Sequence, residues 1–175
     1  SSKEVVDQFL VKRLETLILA GIIISDHEAY RQNAYHATAD ERRRGIYTVG
    51  FGETVGVKAG DKMSYAEACF KLKNKMSGMI DQLQGWKPDL FVAFTPAQVA
   101  ALVSLLYNVG EGNFKKGATY QAFLRGDVKG MLSNGFDKEK GFVKQSGQVL
   151  NGLVERREKE STLRSEEHTS ELQSR

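Results

Sequence analysis

The sequence predicts a mostly helical α+β domain with one small β-hairpin sheet. Three observations support this fold class: amphipathic helical stripes, a central segment that is apolar on nearly all its faces, and a single glycine-rich stretch that alternates with a period of two. The chain has 175 residues, of which 41% are hydrophobic and 27% charged, as in a soluble globular domain. This length is sufficient for one domain, which we expect to be built as two lobes.

The N-terminal segment predicts an amphipathic helix over residues 5–19, where apolar residues recur at helical spacing. Gly21 is expected to interrupt this helix, and a second short helix capped by Ser25 or Asp26 would then carry Glu28. The apolar run at 17–24 has only eight residues, too few to span a bilayer, and the charged start does not resemble a secretory signal. We therefore expect no stable membrane insertion.

The stretch at 45–54 reads G-I-Y-T-V-G-F-G-E-T and predicts a strand over 46–52. Alternation turns its aromatic residues toward a core and places Thr48 beside Gly50 and Gly52 on the opposite face. Glycine inside a strand often marks the close approach of a ligand. This face is therefore expected to form the floor of a cleft. The preceding segment, 35–45, lacks periodicity and is predicted to be a loop.

A capping box, formed by Ser64 and Glu67, opens a predicted helix over 64–84 whose lysines are expected to face water. Its apolar stripe includes Cys69. A lone cysteine forms no internal disulfide and suits a reducing compartment. The three histidines and this cysteine show no metal-ligand spacing, so neither a metal nor another cofactor is expected.

A second capping box, Thr95 with Gln98, opens the most apolar helix of the chain. The residues that follow, 99–109, are apolar nearly all round, so this helix should be central and buried in the C-terminal lobe. Gly110 is expected to end it. Shorter helices are predicted at 120–124, 128–132 and 153–163.

The last segment, 164–175, reads R-S-E-E-H-T-S-E-L-Q-S-R and resembles a sequencing adaptor read through in frame. It is polar and has no apolar stripe, so we expect a disordered, non-native tail. Two arginines against three glutamates give this tail a net charge of −1, and the total of +3 therefore leaves +4 on residues 1–163. A mildly basic body favours an anionic partner.

Five segments occur in an order that resembles a known family. They are Glu28 near a helix end, Tyr35, T-V-G-F-G-E-T at 48–54, A-L-V-S-L-L-Y-N-V-G at 101–110, and G-L-V-E-R-R-E-K-E at 152–160. Over residues 22–163 this order resembles the phage-type lysozymes, the endolysins of glycoside hydrolase family 24.

The resemblance implies a single lysozyme-like domain over 1–163. Its small lobe would span about 25–63, its connecting helix about 64–84, and its helical lobe about 85–163 together with the N-terminal helix. The active cleft would lie between the two lobes.

Members of this family cleave the β-1,4 bond between N-acetylmuramic acid and N-acetylglucosamine in peptidoglycan. By the resemblance, Glu28 is the general acid that protonates the glycosidic oxygen, and it must hold a proton at the working pH. Thr48 would help to hold the attacking water. The resemblance and the strand pattern together indicate six residues at the substrate: Tyr35, Gly50, Gly52, Glu53, Asn108 and Arg156.

The second catalytic carboxylate is not at its usual place, because the family's aspartate falls at Ala37. Asp40 and Glu41 lie in an insertion between the tyrosine and the strand, and Glu53 replaces the family's histidine. We predict that Asp40 is the catalytic residue, with Glu41 and Glu53 as the alternatives. Ala29 also departs from the family, which has glycine after the acid.

Two other functions remain open. A lytic transglycosylase breaks the same bond with one carboxylic acid and uses the sugar's own 6-hydroxyl in place of water, which suits the absent aspartate. The second open function is that of a catalytically inactive protein of the same fold, which binds the wall or disturbs the membrane. The expected partner is bacterial peptidoglycan, without nucleic acid, and a monomer is expected. The resemblance implies synthesis in the host bacterial cytoplasm and action on the wall, in the periplasm, after release.

Overall fold

The computed structural model describes residues 1–131. The helix predicted at 153–163, Arg156 and the tail at 164–175 lie outside the described residues. The elements are α1 (Ser2–Glu28), β1 (Arg31–Tyr35), α2 (Ala39–Arg44), β2 (Thr48–Gly50), α3 (Tyr65–Trp86), α4 (Leu90–Ala93), α5 (Pro96–Lys116), α6 (Ala118–Arg125) and α7 (Val128–Gly130). Strands β1 and β2 form a two-stranded antiparallel sheet. The predicted fold class, mostly helical α+β with a small sheet, is confirmed.

Helix α1 is one continuous helix of 27 residues where the sequence predicted two. It begins at a capping box between Ser1 and Glu4 and runs past Gly21 to its last residue, Glu28. A Cβ atom added to Gly21 would lie 3.5 Å from Cε of Met76 on α3, so the glycine packs against that helix. Tertiary packing thus outweighs the weak helix propensity of glycine, and no helix begins at Ser25 or Asp26. Within residues 1–131, no helix is both long enough and apolar enough to cross a membrane.

The hydrophobic core lies where α1, α3 and α5 pack together. Helix α5 contributes Val99, Leu102 and Val103, whose side chains are completely buried, and the prediction of a buried central helix is confirmed. The predicted capping box of Thr95 and Gln98 is present at α5. At α3 the Ser64 half of the predicted box is present, its hydroxyl accepting the backbone N–H of Glu67.

Helix α5 is interrupted at Gly110. At Gly110 the backbone leaves the helical region, with φ of 79°, as the sequence indicated. The range of α5 therefore covers two helical segments on either side of a kink at Gly110, and the second segment continues to Lys116. The prediction that Gly110 ends the buried helix is confirmed. Gly126 and Asp127 separate α6 from α7, as predicted.

Strand β2 is shorter than the predicted strand over 46–52. Gly50 and Gly52 adopt positive φ values of 66° and 85°, which turn the chain so that Val49 and Glu53 pair through two backbone hydrogen bonds of 2.9 Å. Positive φ is readily accessible only to glycine. The two glycines therefore make a tight turn, and the alternation predicted for a flat strand stops there.

The segment 35–45, predicted to be a loop, contains regular structure. Strand β1 ends at Tyr35, whose register partner is Thr48. Helix α2 follows, capped by the hydroxyl of Thr38 and ended by Gly45 with φ of 67°. The six residues of α2 bury no side chain, so there was no apolar stripe from which periodicity could detect it.

Candidate active site

Glu28 ends α1 beside the tight turn that Gly50 and Gly52 make after β2. A Cβ atom added to Gly52 would lie 3.0 Å from Oε2 of Glu28. The carboxyl group thus lies directly against the backbone of the turn, in space that any larger residue at position 52 would occupy. Glu28 is the last residue of the long helix α1, which packs in the core. Its carboxyl group faces Gly52, which has no side chain.

Tyr107 of α5 lies on the same side of Gly52. Its hydroxyl donates to the carbonyl oxygen of Phe51, and that hydroxyl oxygen would be 3.5 Å from the same added Cβ atom. Burial raises the pKa of the Tyr107 phenol above its ordinary value, and the carboxylates of Glu28 and Glu53 raise it further. The phenol therefore keeps its proton and remains a donor to the turn.

Sequence analysis did not identify Tyr107. A signal was present: a phenolic hydroxyl on a helix predicted to be buried needs a hydrogen-bond partner. The identity of that partner, a backbone carbonyl 56 positions away along the chain, depends on the tertiary fold.

Glu53 forms an ion pair with Lys75 of α3, with 3.5 Å between Nζ and Oε1. The Glu53 side chain is 19% exposed and that of Lys75 is 42% exposed. The Lys75 ammonium also lies 5.2 Å from the centre of the Tyr107 ring. Lys75 is exposed, as expected of the lysines of this helix, but the sequence analysis did not predict its ion pair with Glu53.

Thr48 is buried, and its hydroxyl donates to the carboxylate of Glu41 on α2. Tyr35 pairs with Thr48 across the sheet, and the guanidinium of Arg31 lies 4.0 Å from the centre of the Tyr35 ring. The structure thus brings together Thr48, Glu41 and Tyr35 at one end of the sheet.

Asp40, the predicted second carboxylate, is not brought to Thr48. Its two oxygens pair with Arg43 and Arg44 at 3.3 Å each, and its side chain is 56% exposed. Residues three and four apart share a helix face, so Asp40 lies with these arginines on the solvent side of α2. The next residue, Glu41, contacts Thr48 instead.

Gly50 and Asn108 occupy different surroundings from Glu28. A Cβ atom added to Gly50 would lie 2.6 Å from Sδ of Met63, so Gly50 packs into the core. The prediction that Gly50 and Gly52 clear one face around Thr48 is wrong, because their positive φ values end the alternation. Gly50 therefore does not line an open cleft. Asn108 is exposed on α5, next to Tyr107.

In the described part of the chain, no group of three or more histidine, cysteine, aspartate or glutamate side chains could hold a metal ion. The structure instead forms two small polar clusters. In one, the carboxyl groups of Glu28 and Glu53 lie near the Tyr107 phenol. In the other, the Glu41 carboxylate accepts the hydrogen of the Thr48 hydroxyl.

A solved structure places this fold among the lysozyme folds. The muramidase domain of SpmX from Asticaccaulis excentricus matches with a TM-score of 0.62, covering 77% of this chain and 92% of that domain. The two sequences are 17% identical, so this likeness concerns the fold alone.

Sequence comparison then defines the family. The phage lysozyme family model matches residues 25–160. The endolysin of Bacillus phage B103 is 36% identical over 146 residues, 82% of this chain and 52% of that relative. The SAR-endolysin of Enterobacteria phage P21 is 31% identical over 120 residues, 68% of each chain. The chain spans about half the length of the Bacillus phage endolysin. It belongs to the phage lysozyme family, and the predicted resemblance is confirmed.

The backbone at Ala29, the residue after Glu28, gives a physical reason for the glycine that the family pattern has at this position. Ala29 has φ of 48° and is the one non-glycine residue with positive φ in the described part of the chain. A Cβ atom is disfavoured in this region by about 1–2 kcal/mol, which accounts for the glycine usual at this position. We expect Ala29→Gly to raise the free energy of unfolding by about 1 kcal/mol in urea denaturation.

Ala34 provides the control for this prediction, because it is an alanine of β1 outside the positive-φ region. Ala34→Gly should lower the free energy of unfolding by about 0.5–1 kcal/mol, the usual cost of glycine within a strand. If both substitutions destabilise the protein equally, Ala29 is not strained.

Proposed function

We propose that this protein is a peptidoglycan-degrading muramidase, an endolysin that hydrolyses the β-1,4 bond between N-acetylmuramic acid and N-acetylglucosamine. The observation that carries the proposal is the position of Glu28. Its carboxyl group lies against Gly52, which has no side chain, and beside Tyr107. Membership of the phage lysozyme family and the endolysins among its relatives support the same function. The proposed place of action is the bacterial cell wall.

In this mechanism Glu28 is the general acid. It gives its proton to the glycosidic oxygen as the bond to the anomeric carbon breaks and positive charge develops on the sugar ring. The hydroxyl of Tyr107 does not compete for this role, since its hydrogen is donated to the Phe51 carbonyl. The backbone of Gly52 fixes one side of the carboxyl group and adds no bulk where the sugar must bind.

We assign the second carboxylate to Glu41. Its contact with the Thr48 hydroxyl occupies the hydrogen of that group and leaves the hydroxyl lone pairs free to accept a hydrogen bond from water. Water held at Thr48 then lies beside the Glu41 carboxylate, which can take its proton as the water oxygen bonds to the anomeric carbon. Glu41 would thereby supply the carboxylate that is missing at Ala37.

The comparison of Glu41→Gln with Asp40→Asn tests this assignment. We expect Glu41→Gln to slow the clearing of a purified peptidoglycan suspension by roughly 10²-fold or more, the usual contribution of a general base. Asp40→Asn should stay within roughly twofold of the parent rate, because exposed ion pairs contribute little. The reverse order of effects would assign the role to Asp40.

Product analysis separates hydrolysis from transglycosylation. Because the proposed mechanism activates a water molecule beside the contact between Glu41 and Thr48, we expect reducing N-acetylmuramic acid ends. Anhydromuramic ends would show that the sugar's own hydroxyl replaces water and would overturn the hydrolytic proposal.

A further inference from the structure

The ion pair between Lys75 and Glu53 lies beside the proposed acid and has no role in the mechanism above. Glu53 is held in place by its two backbone hydrogen bonds to Val49. The same turn is tied to α5 through the Tyr107 hydroxyl. Glu53 can therefore leave its position near Glu28 only if the turn opens or loses its bond to Tyr107.

Two carboxyl groups, those of Glu28 and Glu53, lie near the same phenol. The carboxylates of Glu28 and Glu53 both act on the Tyr107 phenol, and Lys75 lies 3.5 Å from Glu53 and 5.2 Å from the centre of the phenol ring. Lys75 is the cation that offsets the charge of Glu53. Glu53 is largely shielded from water whereas Lys75 is exposed, so the charge of Glu53 is screened less than that of a fully exposed group.

We propose that Lys75 and Glu53 form a positioning pair that sets the net charge beside Glu28, and thereby the highest pH at which Glu28 can still donate its proton to the sugar bridge. This inference rests on the proposed function of Glu28. It also gives a physical role to a glutamate at the position where the family has histidine.

The direction of each effect follows from the charges. Without Lys75, the negative charge of Glu53 is uncompensated, and a like charge disfavours ionisation of Glu28. Glu28 then retains its proton to a higher pH. Without Glu53, the unpaired ammonium of Lys75 favours ionisation, and Glu28 loses its proton at a lower pH.

Other charged or titratable side chains occur near Glu28 in the chain or on the elements that pack around it, and the Lys75 and Glu53 variants leave them unchanged. They include Asp26, His27, Tyr30, Arg31, Glu41 and Tyr107. Their contributions are therefore common to every variant and cancel in the comparison.

The experiment uses the full chain and measures the initial rate of peptidoglycan clearing against pH at constant ionic strength. The quantity compared is the pH, on the alkaline side of the optimum, at which the clearing rate falls to half its maximum; this is the midpoint of the alkaline limb. We expect Lys75→Met to raise this pH by about half a unit and Glu53→Gln to lower it by a similar amount. The double variant should return close to the parent. Lys71→Met is the matched control, because Lys71 pairs with Glu67 elsewhere on α3, and its limb should not move.

A purely structural ion pair would produce a different pattern. It would lower the melting temperature of both single variants but would not move their alkaline limbs in opposite directions. The inference would be overturned if the alkaline limbs of Lys75→Met and Glu53→Gln stayed in place or moved in the same direction. Glu28→Gln measured alongside separates the two proposals: an inactive Glu28→Gln with unmoved limbs removes only the positioning role, whereas an active Glu28→Gln removes the proposed function as well.

Discussion

Replacing Glu28 by glutamine should reduce the rate of peptidoglycan clearing by roughly 10²–10⁴-fold, the range typical for loss of a general acid. The amide has nearly the same size as the carboxyl group, so it can occupy the same space against Gly52. It cannot supply the proton that the leaving oxygen needs. Because folding is preserved, the circular dichroism spectrum and the melting temperature should stay close to those of the parent.

Asp26→Asn is the matched control for this substitution. Asp26 is an exposed acid two residues before Glu28 on the same helix, and its amide variant should clear peptidoglycan at close to the parent rate. If Glu28→Gln lyses permeabilised bacteria as well as the parent does, the protein acts by wall binding or membrane disturbance, and the muramidase proposal fails.

Adding one methyl group at Gly52 should also produce a large effect. In Gly52→Ala, the new Cβ atom would meet Oε2 of Glu28 at 3.0 Å, closer than an ordinary van der Waals contact. The Glu28 carboxyl group must therefore move by a few tenths of an ångström. We expect the clearing rate to fall by roughly tenfold, less than the 10²-fold that a misplacement of about 1 Å can cost in a catalytic group. The positive φ of 85° adds about 1–2 kcal/mol of backbone strain.

Gly56 separates the strain from the contact. It also has a positive φ, of 70°, but a Cβ atom added there would meet no atom within 4 Å. Gly56→Ala should therefore lose a similar free energy of unfolding in urea denaturation while keeping its clearing rate. Equal activity losses in the two variants would show that backbone strain, and not the contact with Glu28, limits the rate.

Much of the fold could be predicted because its signals are local. Ser64 and Thr95 cap helices through bonds to backbone groups three residues away, and that spacing can be read directly from the chain. The apolar segment at 99–109 predicted the buried helix α5 for the same reason. The failure at Gly21 has the opposite origin, since the helix continues there through packing on Met76, which is distant in the chain.

The choice between Asp40 and Glu41 shows why the site was harder to predict than the fold. Both are acids in one short segment that lacks an apolar stripe, so nothing local indicated that the segment is a helix. Once it is helical, one step along the chain rotates the side chain by about 100°. That rotation directs Asp40 to Arg43 and Arg44, and Glu41 to Thr48.

By itself, the sequence determined the α+β class, the caps, the buried central helix and the family order of motifs that singles out Glu28. These features depend on spacings of a few residues or on the linear order of segments. Only the tertiary structure decided that Tyr107 and Lys75 lie at the turn beside Glu28, and that Glu41 contacts Thr48. The physical reason is that these contacts join side chains on separate elements, and their distances are set by how α1, α3, α5 and the hairpin pack together.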